Sequence, residues 1–78
     1  MAVTVRFVDG KEQTFRDADS AIRMGTMIVV SKWNTKRRRL DEVGVFAANH
    51  VLVAEVSKNG VVTNGVFGDR PRSGELNA

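Results

Sequence analysis

A cluster of basic side chains around a single tryptophan is the part of this sequence with the clearest capacity for chemistry. Five of the twelve Lys and Arg residues fall within positions 32–39, which hold Lys32, Trp33, Lys36, Arg37, Arg38 and Arg39. Without these five, the chain has seven basic and nine acidic residues, so the net charge of +3 arises from one local patch. Ammonium and guanidinium groups bind phosphates, and an exposed indole stacks on bases. This basic run (residues 32–39) therefore predicts a surface that binds nucleic acid.

The basic run also has a structural explanation. Charged side chains at a hairpin tip or on an edge strand keep sheets from pairing edge to edge. Trp33 continues an alternation with Val29 and Ser31, which favours a position at the rim of the core over a stacking platform. The sequence alone leaves both interpretations open.

Groups that could catalyse a reaction are scarce. His50 is the only histidine, and the chain has no cysteine and no tyrosine. A single imidazole without other ligands does not make a zinc site, and no serine stands in a nucleophile motif. His50 follows Asn49 and is better explained as a residue that ends or caps a turn. The glycines lack the spacing of a phosphate-binding loop, so we expect no enzyme and no cofactor.

Two acidic pairs are the remaining candidates for binding a divalent cation. Asp17 and Asp19 are better explained as residues at the start of a helix, where the macrodipole favours negative charge. Asp41 and Glu42 directly follow the basic run, and we expect them to offset part of its self-repulsion. The sequence therefore predicts no metal site.

Length and composition indicate one small β-rich domain. The chain has 78 residues, of which 42% are hydrophobic and thirteen are valine. β-Branched side chains favour pleated sheet over helix. No apolar run approaches the roughly 20 residues that cross a bilayer, and the first residues lack the pattern of a secretory signal. We therefore expect a soluble, cytoplasmic protein without a membrane partner, and the pI of about 10.0 agrees with an acidic polymer as partner.

Turn signals divide the chain into short antiparallel strands. Asp9-Gly10 predicts a hairpin over residues 3–16, and Asn59-Gly60 predicts a second hairpin. The nearly continuous apolar run of residues 26–33 predicts a central strand covered on both faces. Gly44, inside a later strand, predicts a bulge or a bend.

The basic run is predicted to form a hairpin tip and the beginning of a returning strand, which continues over residues 40–48. Along a strand, side chains alternate between the two faces. Arg37 and Arg39 should therefore point to one side, and Lys36 and Arg38 to the other. A flat partner would contact only about half of these cations at once.

One segment changes to a helical period. Ala18, Ala21 and Ile22 fall on one helical face, with Asp17 as N-cap and Gly25 as the stop, which predicts a two-turn helix between the second and third strands. With five or six strands, the fold class is mainly β, as a small curved antiparallel sheet or an SH3-like barrel. The domain spans residues 1–67, and residues 68–78 are polar and rich in breakers, which predicts a disordered tail.

The layout of apolar positions and turns resembles that of small accessory proteins encoded by actinobacterial bacteriophages. The resemblance rests on residues 3–10 (VTVRFVDG), Thr14-Phe15, Gly25 before a strand, and residues 43–46 (VGVF) running into a last strand. It covers residues 1–57 and does not include the basic run. It implies a small cytoplasmic phage product and no particular mechanism.

Two classes of function follow from these features. The first is a nucleic-acid-binding module that uses the basic run. The second is a protein-interaction or assembly module, acting on a host or virion protein or forming a homodimer. It would use a closing segment that is too apolar for an exposed edge, namely Val61, Val62, Val66 and Phe67. We prefer nucleic acid because it accounts for the placement of charge.

Overall fold

The computed structural model describes residues 1–69, which form seven antiparallel strands in two sheets. The strands are β1 (Ala2–Phe7), β2 (Glu12–Phe15), β3 (Ser20–Met24), β4 (Met27–Asn34), β5 (Arg39–Ala47), β6 (Val51–Lys58) and β7 (Val61–Phe67). The four-stranded sheet has the order β2-β1-β6-β7, and the three-stranded sheet has the order β3-β4-β5. A 3-10 turn at Ala48–His50 leads from β5 to β6 and so joins the two sheets.

The core lies between the two sheets and is built mainly from valine. Val3 and Val5 of β1 face Ile28 and Val30 of β4 in one cluster, and all four are 0% exposed. Because side chains alternate along a strand, each strand gives only every second residue to this layer. Small residues complete the layer, among them Ala21, Ala48 and Ala54. The β-branched composition therefore predicted the fold class correctly.

An aromatic contact joins the two sheets at one end of the core. The ring of Phe46 on β5 packs edge-on against Phe7 at 5.3 Å and against Phe15 at 5.9 Å between centroids. Gly44 lies beneath these rings, where a Cβ atom would be 2.7 Å from Phe15 Cζ. The β4–β5 register shifts at this point and leaves Val43 without a partner, so the predicted bulge is confirmed.

Both predicted tight hairpins are present. Gly10 has φ +92° in the turn between β1 and β2. Asn59 and Gly60 have φ of 55° and 81° between β6 and β7, and positive φ at both central positions defines the turn that matches strand twist. Local turn chemistry therefore determines both antiparallel pairings.

The predicted helix over residues 17–25 is wrong, because Ser20–Met24 form β3 and pair with β4. Ala21 is buried in the core while Ile22 is exposed on the opposite face, which is the period of a strand. A two-turn helix forms few hydrogen bonds between its own backbone groups. As a strand, this segment pairs with β4 at every residue from Ser20 to Met24. Gly25, with φ +62°, lies in the tight turn to β4 instead of ending a helix.

The expected barrel is also wrong, and so is the expected count of five or six strands. In residues 1–69 no strand pairing joins the two sheets, which leaves β2, β7, β3 and β5 as open edges. The strand that the sequence analysis missed is β3, which completes a second layer. The molecule is therefore two stacked antiparallel sheets, with no helix longer than the 3-10 turn in this range.

The structure extends the ordered contacts slightly beyond the predicted boundary at residue 67. The Gly68 amide donates to Leu52 O at 3.3 Å, and the Asp69 amide donates to Ala48 O at 2.8 Å. Asp69 also forms an ion pair with Arg23. The rest of the predicted tail, residues 70–78, lies outside the described residues. In the part of the chain that the structure describes, no helix is long and apolar enough to span a membrane.

Replacing Gly44 by alanine is expected to destabilise the fold by about 1–3 kcal/mol, the usual cost of overpacking a core. The added Cβ would lie 2.7 Å from Phe15 Cζ and 3.0 Å from Phe46 Cε2, so the ring contact between the sheets would have to open. Urea unfolding measures the change in the free energy of unfolding.

Gly65→Ala on β7 is the matched control. Its new Cβ would make an ordinary contact at 3.4 Å with Val53 Cγ2, and we expect a change below about 0.5 kcal/mol. Equal losses in the free energy of unfolding for Gly44→Ala and Gly65→Ala would show that the aromatic contact does not exclude a side chain at Gly44.

Candidate nucleic-acid interface

The basic run forms the tip of the β4–β5 hairpin, beyond the end of the core. β4 is buried from Ile28 to Ser31 and becomes exposed at Lys32. The last cross-strand pair is Asn34 with Arg39, so the four residues between them form the connecting turn. All five cations of the run are exposed. The hairpin therefore holds its positive charge away from the apolar interior.

Asn34 fixes the conformation of this turn. Its Oδ1 atom accepts hydrogen bonds from the backbone amides of Lys36 at 3.0 Å and Arg37 at 3.1 Å. An asparagine that binds amides two and three residues ahead stabilises a turn without help from the core. Its Nδ2 atom donates to Asp41 Oδ2 at 2.7 Å across the hairpin. Arg38 adopts φ 55°, so the turn reverses the chain at that residue.

Asp41 links the two sides of the hairpin. One carboxylate oxygen accepts from Asn34, and the other accepts from Arg39 Nε at 3.2 Å. The Asn34 hydrogen bond, together with the hydrogen bond and charge of Arg39, lowers the pKa of Asp41 below its ordinary value. Asp41 is therefore ionised at neutral pH, as a structural partner of the basic run. The expectation that this acidic segment offsets the basic charge is confirmed for Asp41.

The other four cations of the run have no such partner. Within residues 1–69, the basic residues that form ion pairs are Arg6, Arg23 and Arg39. No carboxylate of this range lies within ion-pair distance of Lys32, Lys36, Arg37 or Arg38. Lys32 is exposed at the end of β4, and Lys36, Arg37 and Arg38 are exposed on the turn that Asn34 holds in place. This is an arrangement that leaves cations available to an external anion.

A small cleft opens beside the turn. Its volume is about 310 Å³, and it is lined by Lys32, Trp33, Asn34, Thr35, Lys36 and Asp41. This volume is at the lower end for ligand clefts. Trp33 is 46% exposed, and its backbone amide donates to Asp19 Oδ2 at 2.7 Å, which anchors this part of β4 to the start of β3. A half-exposed indole thus lies beside two lysines.

All six residues predicted for this site lie on the one hairpin, but their arrangement differs from the prediction. Lys36, Arg37 and Arg38 lie in the turn and only Arg39 begins β5, so the expected alternation between two faces is wrong. Asparagine commonly initiates turns, and Asn34-Thr35 opens this one as the sequence predicts. The hydrogen bond that joins Asn34 to Asp41 across the hairpin was missed.

The second predicted site lies on β7, an edge of the four-stranded sheet. Val61, Val62 and Phe67 are 65%, 54% and 69% exposed, whereas Val66 is half-buried against the core. β7 carries no charged residue, while β2, β3 and β5 each carry at least one. Its register with β6 shifts and leaves Thr63 without a partner.

The weaker candidates of the sequence remain apart. His50 is exposed at the end of the 3-10 turn, and its carbonyl accepts from the Val8 amide at 2.9 Å. The Asp19 carboxylate accepts a hydrogen bond from the Trp33 amide and does not begin a helix. Among residues 1–69, no group of three or more His, Asp or Glu side chains is placed to hold a metal ion.

Comparisons of this chain with protein-family models, with curated proteins and with solved structures found no match. The resemblance to phage accessory proteins, the cytoplasmic location and the two hypotheses of function therefore stay predictions.

Asn34→Ala and Arg39→Gln should each raise the pKa of Asp41, because the Asn34 hydrogen bond is the largest single cause of its depression and Arg39 adds a hydrogen bond and a charge. Carboxyl-carbon NMR titration measures both shifts. Since the folded pKa lies below the unfolded value of about 3.9, the contribution of Asp41 to stability is present above that pH. It is lost as the pH falls through the folded pKa. An unchanged pKa of Asp41 in Asn34→Ala would contradict the assignment of Asn34 as its hydrogen-bond partner.

Proposed function

We propose that this protein is a non-catalytic nucleic-acid-binding module that contacts the phosphate backbone with the β4–β5 hairpin. The observation that supports this most is the set of exposed cations without a carboxylate partner in residues 1–69: Lys32, Lys36, Arg37 and Arg38. Neutralising a phosphate releases condensed counterions, so each such cation adds salt-dependent affinity.

The hydrogen bonds within the hairpin support the same proposal. Asp41 accepts hydrogen bonds from both Asn34 and Arg39, and Asn34 accepts from the turn amides, so the turn is organised before any partner arrives. A pre-organised turn loses less conformational entropy on binding than a flexible one. We assign Arg39 to positioning, and we assign phosphate contact to the turn residues Lys36, Arg37 and Arg38.

Trp33 gives this module a preference for single strands. Its ring is 46% exposed beside the cleft of about 310 Å³. An unpaired base offers its face for stacking, which contributes about 1–3 kcal/mol per base, whereas bases in a duplex are already stacked. We propose that one base packs on Trp33 while the adjacent phosphates contact the turn.

Titration of Trp33 fluorescence with single-stranded DNA and RNA at two or more salt concentrations tests the proposal. Trp33 is the only tryptophan, so its emission reports this site without a label. Changing Arg37 and Arg38 together to Gln should lower affinity and reduce the salt slope by about 1.4, which is about 0.7 for each lost contact on a single strand.

Lys11→Gln with Lys58→Gln is the matched control. It removes the same charge from two other exposed turn regions and should change the slope little. Equal effects of the two double variants would show that only net charge matters. Absence of binding by the native protein at low salt would refute the proposed function.

A second candidate function is binding of an extended protein segment along β7. The supporting observation is an edge strand with exposed apolar side chains and no charge. Such an edge can accept another strand through backbone hydrogen bonds. The bulge at Thr63 breaks the alternation of faces, so two copies of β7 do not match over their full length. A different sequence as the added strand fits this edge better.

Peptides selected from a random library on the native protein provide a probe for this edge. They should bind at least about tenfold more weakly to Val62→Lys, because charged side chains, especially lysine, on an edge strand block strand addition. Fluorescence anisotropy of labelled peptides measures the affinity, and Thr14→Lys on the opposite edge strand β2 is the control. Unchanged affinity in Val62→Lys would remove β7 as the binding edge.

A further inference from the structure

The outer face of the three-stranded sheet is apolar, although the core lies on its other side. Val29 pairs with Ile22 on β3 and with Val45 on β5, and directly opposed residues share a face. The neighbouring row is Met24, Met27 and Ala47. These six residues alternate with the core residues of their strands and form what we call the apolar face. It contains no charged residue.

The apolar face is substantially open to solvent. Met24, Ile22 and Val45 are 56%, 46% and 45% exposed. Val29, at the centre, is 5% exposed because its two cross-strand neighbours flank it. The accessible apolar surface is on the order of 300 Å² per copy, at the lower end of the range for the largest apolar patch on a monomer.

The outer face of the four-stranded sheet has the opposite character. There Arg6 donates from Nε to Glu55 at 2.6 Å and also forms an ion pair with Glu12. The hydrogen bond and charge of Glu55, with the charge of Glu12, raise the pKa of Arg6 above its ordinary value. Thr4 and Thr14 lie within hydrogen-bond distance on the same face. The β1–β2 half of this outer face is thus polar with ion pairs, whereas the apolar face of the other sheet, which ends at the row of Ser20, Ser31 and Glu42, is uncharged.

We propose that the apolar face is the interface of a homodimer, in which two copies stack their three-stranded sheets face to face. Two copies together contribute roughly 600–700 Å² of apolar surface. Somewhat more than half of a protein interface is apolar, so this amount corresponds to a total buried area of about 1,200 Å². That total is at the lower end for specific complexes. The apolar faces supply about half of that total, and the remaining roughly 500–600 Å² is polar surface around them.

A second copy also fits the charge distribution. An isologous interface uses the same surface on both subunits, and the six residues of the apolar face carry no charge, so stacking this face on its own copy opposes no like charges there. The basic hairpins lie beyond the apolar face at one end of β4, and their mutual repulsion favours a pair with the two tips at opposite ends. Because Trp33 lies outside the apolar face, this inference does not rest on the proposed function.

Sedimentation equilibrium without nucleic acid tests the proposal. The native protein should be dimeric, and Ile22→Lys with Val45→Lys should raise the dissociation constant by ~100-fold or more, because like charges would face each other. Val62→Lys with Phe67→Lys is the matched control, since it adds the same charges at more exposed apolar positions of β7 and should leave the dimer intact. Circular dichroism checks that each variant is folded.

Spin-label distances supply a second test that does not depend on the lysine variants. The chain has no cysteine, so Glu42→Cys and Val62→Cys each carry one label. Stacked sheets lie about 10 Å apart, so labels at residue 42, next to the apolar face, should be within about 25 Å across the dimer. Labels at residue 62, one layer further out on each side, should be at least about 30 Å apart.

A native protein that stays monomeric at all concentrations would overturn the proposal. So would a short distance at residue 62 with a long one at residue 42, because that pattern places the contact at β7. Binding of the monomer to lipid vesicles, lost in Ile22→Lys with Val45→Lys, would assign the face to a membrane surface instead and would equally reject the dimer.

Discussion

The structure depends on a single layer of apolar side chains between two small open sheets. β4 illustrates the constraint, because Ile28 and Val30 enter this layer while Val29 between them cannot. A domain of this size buries only roughly 60–65% of the surface of its unfolded chain. The layer therefore uses small and β-branched residues that pack closely, and Phe46 closes one end against Phe7 and Phe15. The outer faces of both sheets and the β4–β5 hairpin tip lie outside this layer and are largely exposed.

The hairpin follows from the same limit. β4 and β5 extend past the last core residue, so the tip has no apolar support and is held by polar contacts instead. Asn34 binds the turn amides, and Asp41 joins Asn34 to Arg39. Arg39 is paired with Asp41 in this arrangement, whereas the other four cations of the basic run have no carboxylate partner in residues 1–69. The basic run is thus divided into a residue that stabilises the hairpin and residues that can act on a partner, a distinction that composition does not reveal.

Local signals in the sequence predicted local structure, and they failed where tertiary pairing decided. Asp9-Gly10 and Asn59-Gly60 determine their turns within a few residues, so both hairpins were predictable. The segment of residues 17–25 has a helical period by coincidence of Ala18, Ala21 and Ile22. Its pairing with β4 could not be read from its own residues. Because that strand was missed, a single curved sheet or a barrel was expected in place of two stacked sheets.

The apolar run of β4 predicted a central strand covered on both faces, and β4 is central in its sheet and buried from Ile28 to Ser31. Within residues 1–69, however, no second sheet packs over Val29, which only its cross-strand neighbours cover. Met27 and Val29 alternate with the core residues, which places them on the side away from the other sheet. The sequence of β4 is typical of a strand buried on both sides of a sheet. It is unusual for such a strand to lie in a sheet whose outer face is exposed to solvent. Stacking on a second copy would give β4 the environment that its sequence indicates. It would also place two basic hairpins on one particle, so that their phosphate contacts would act together along one strand of nucleic acid.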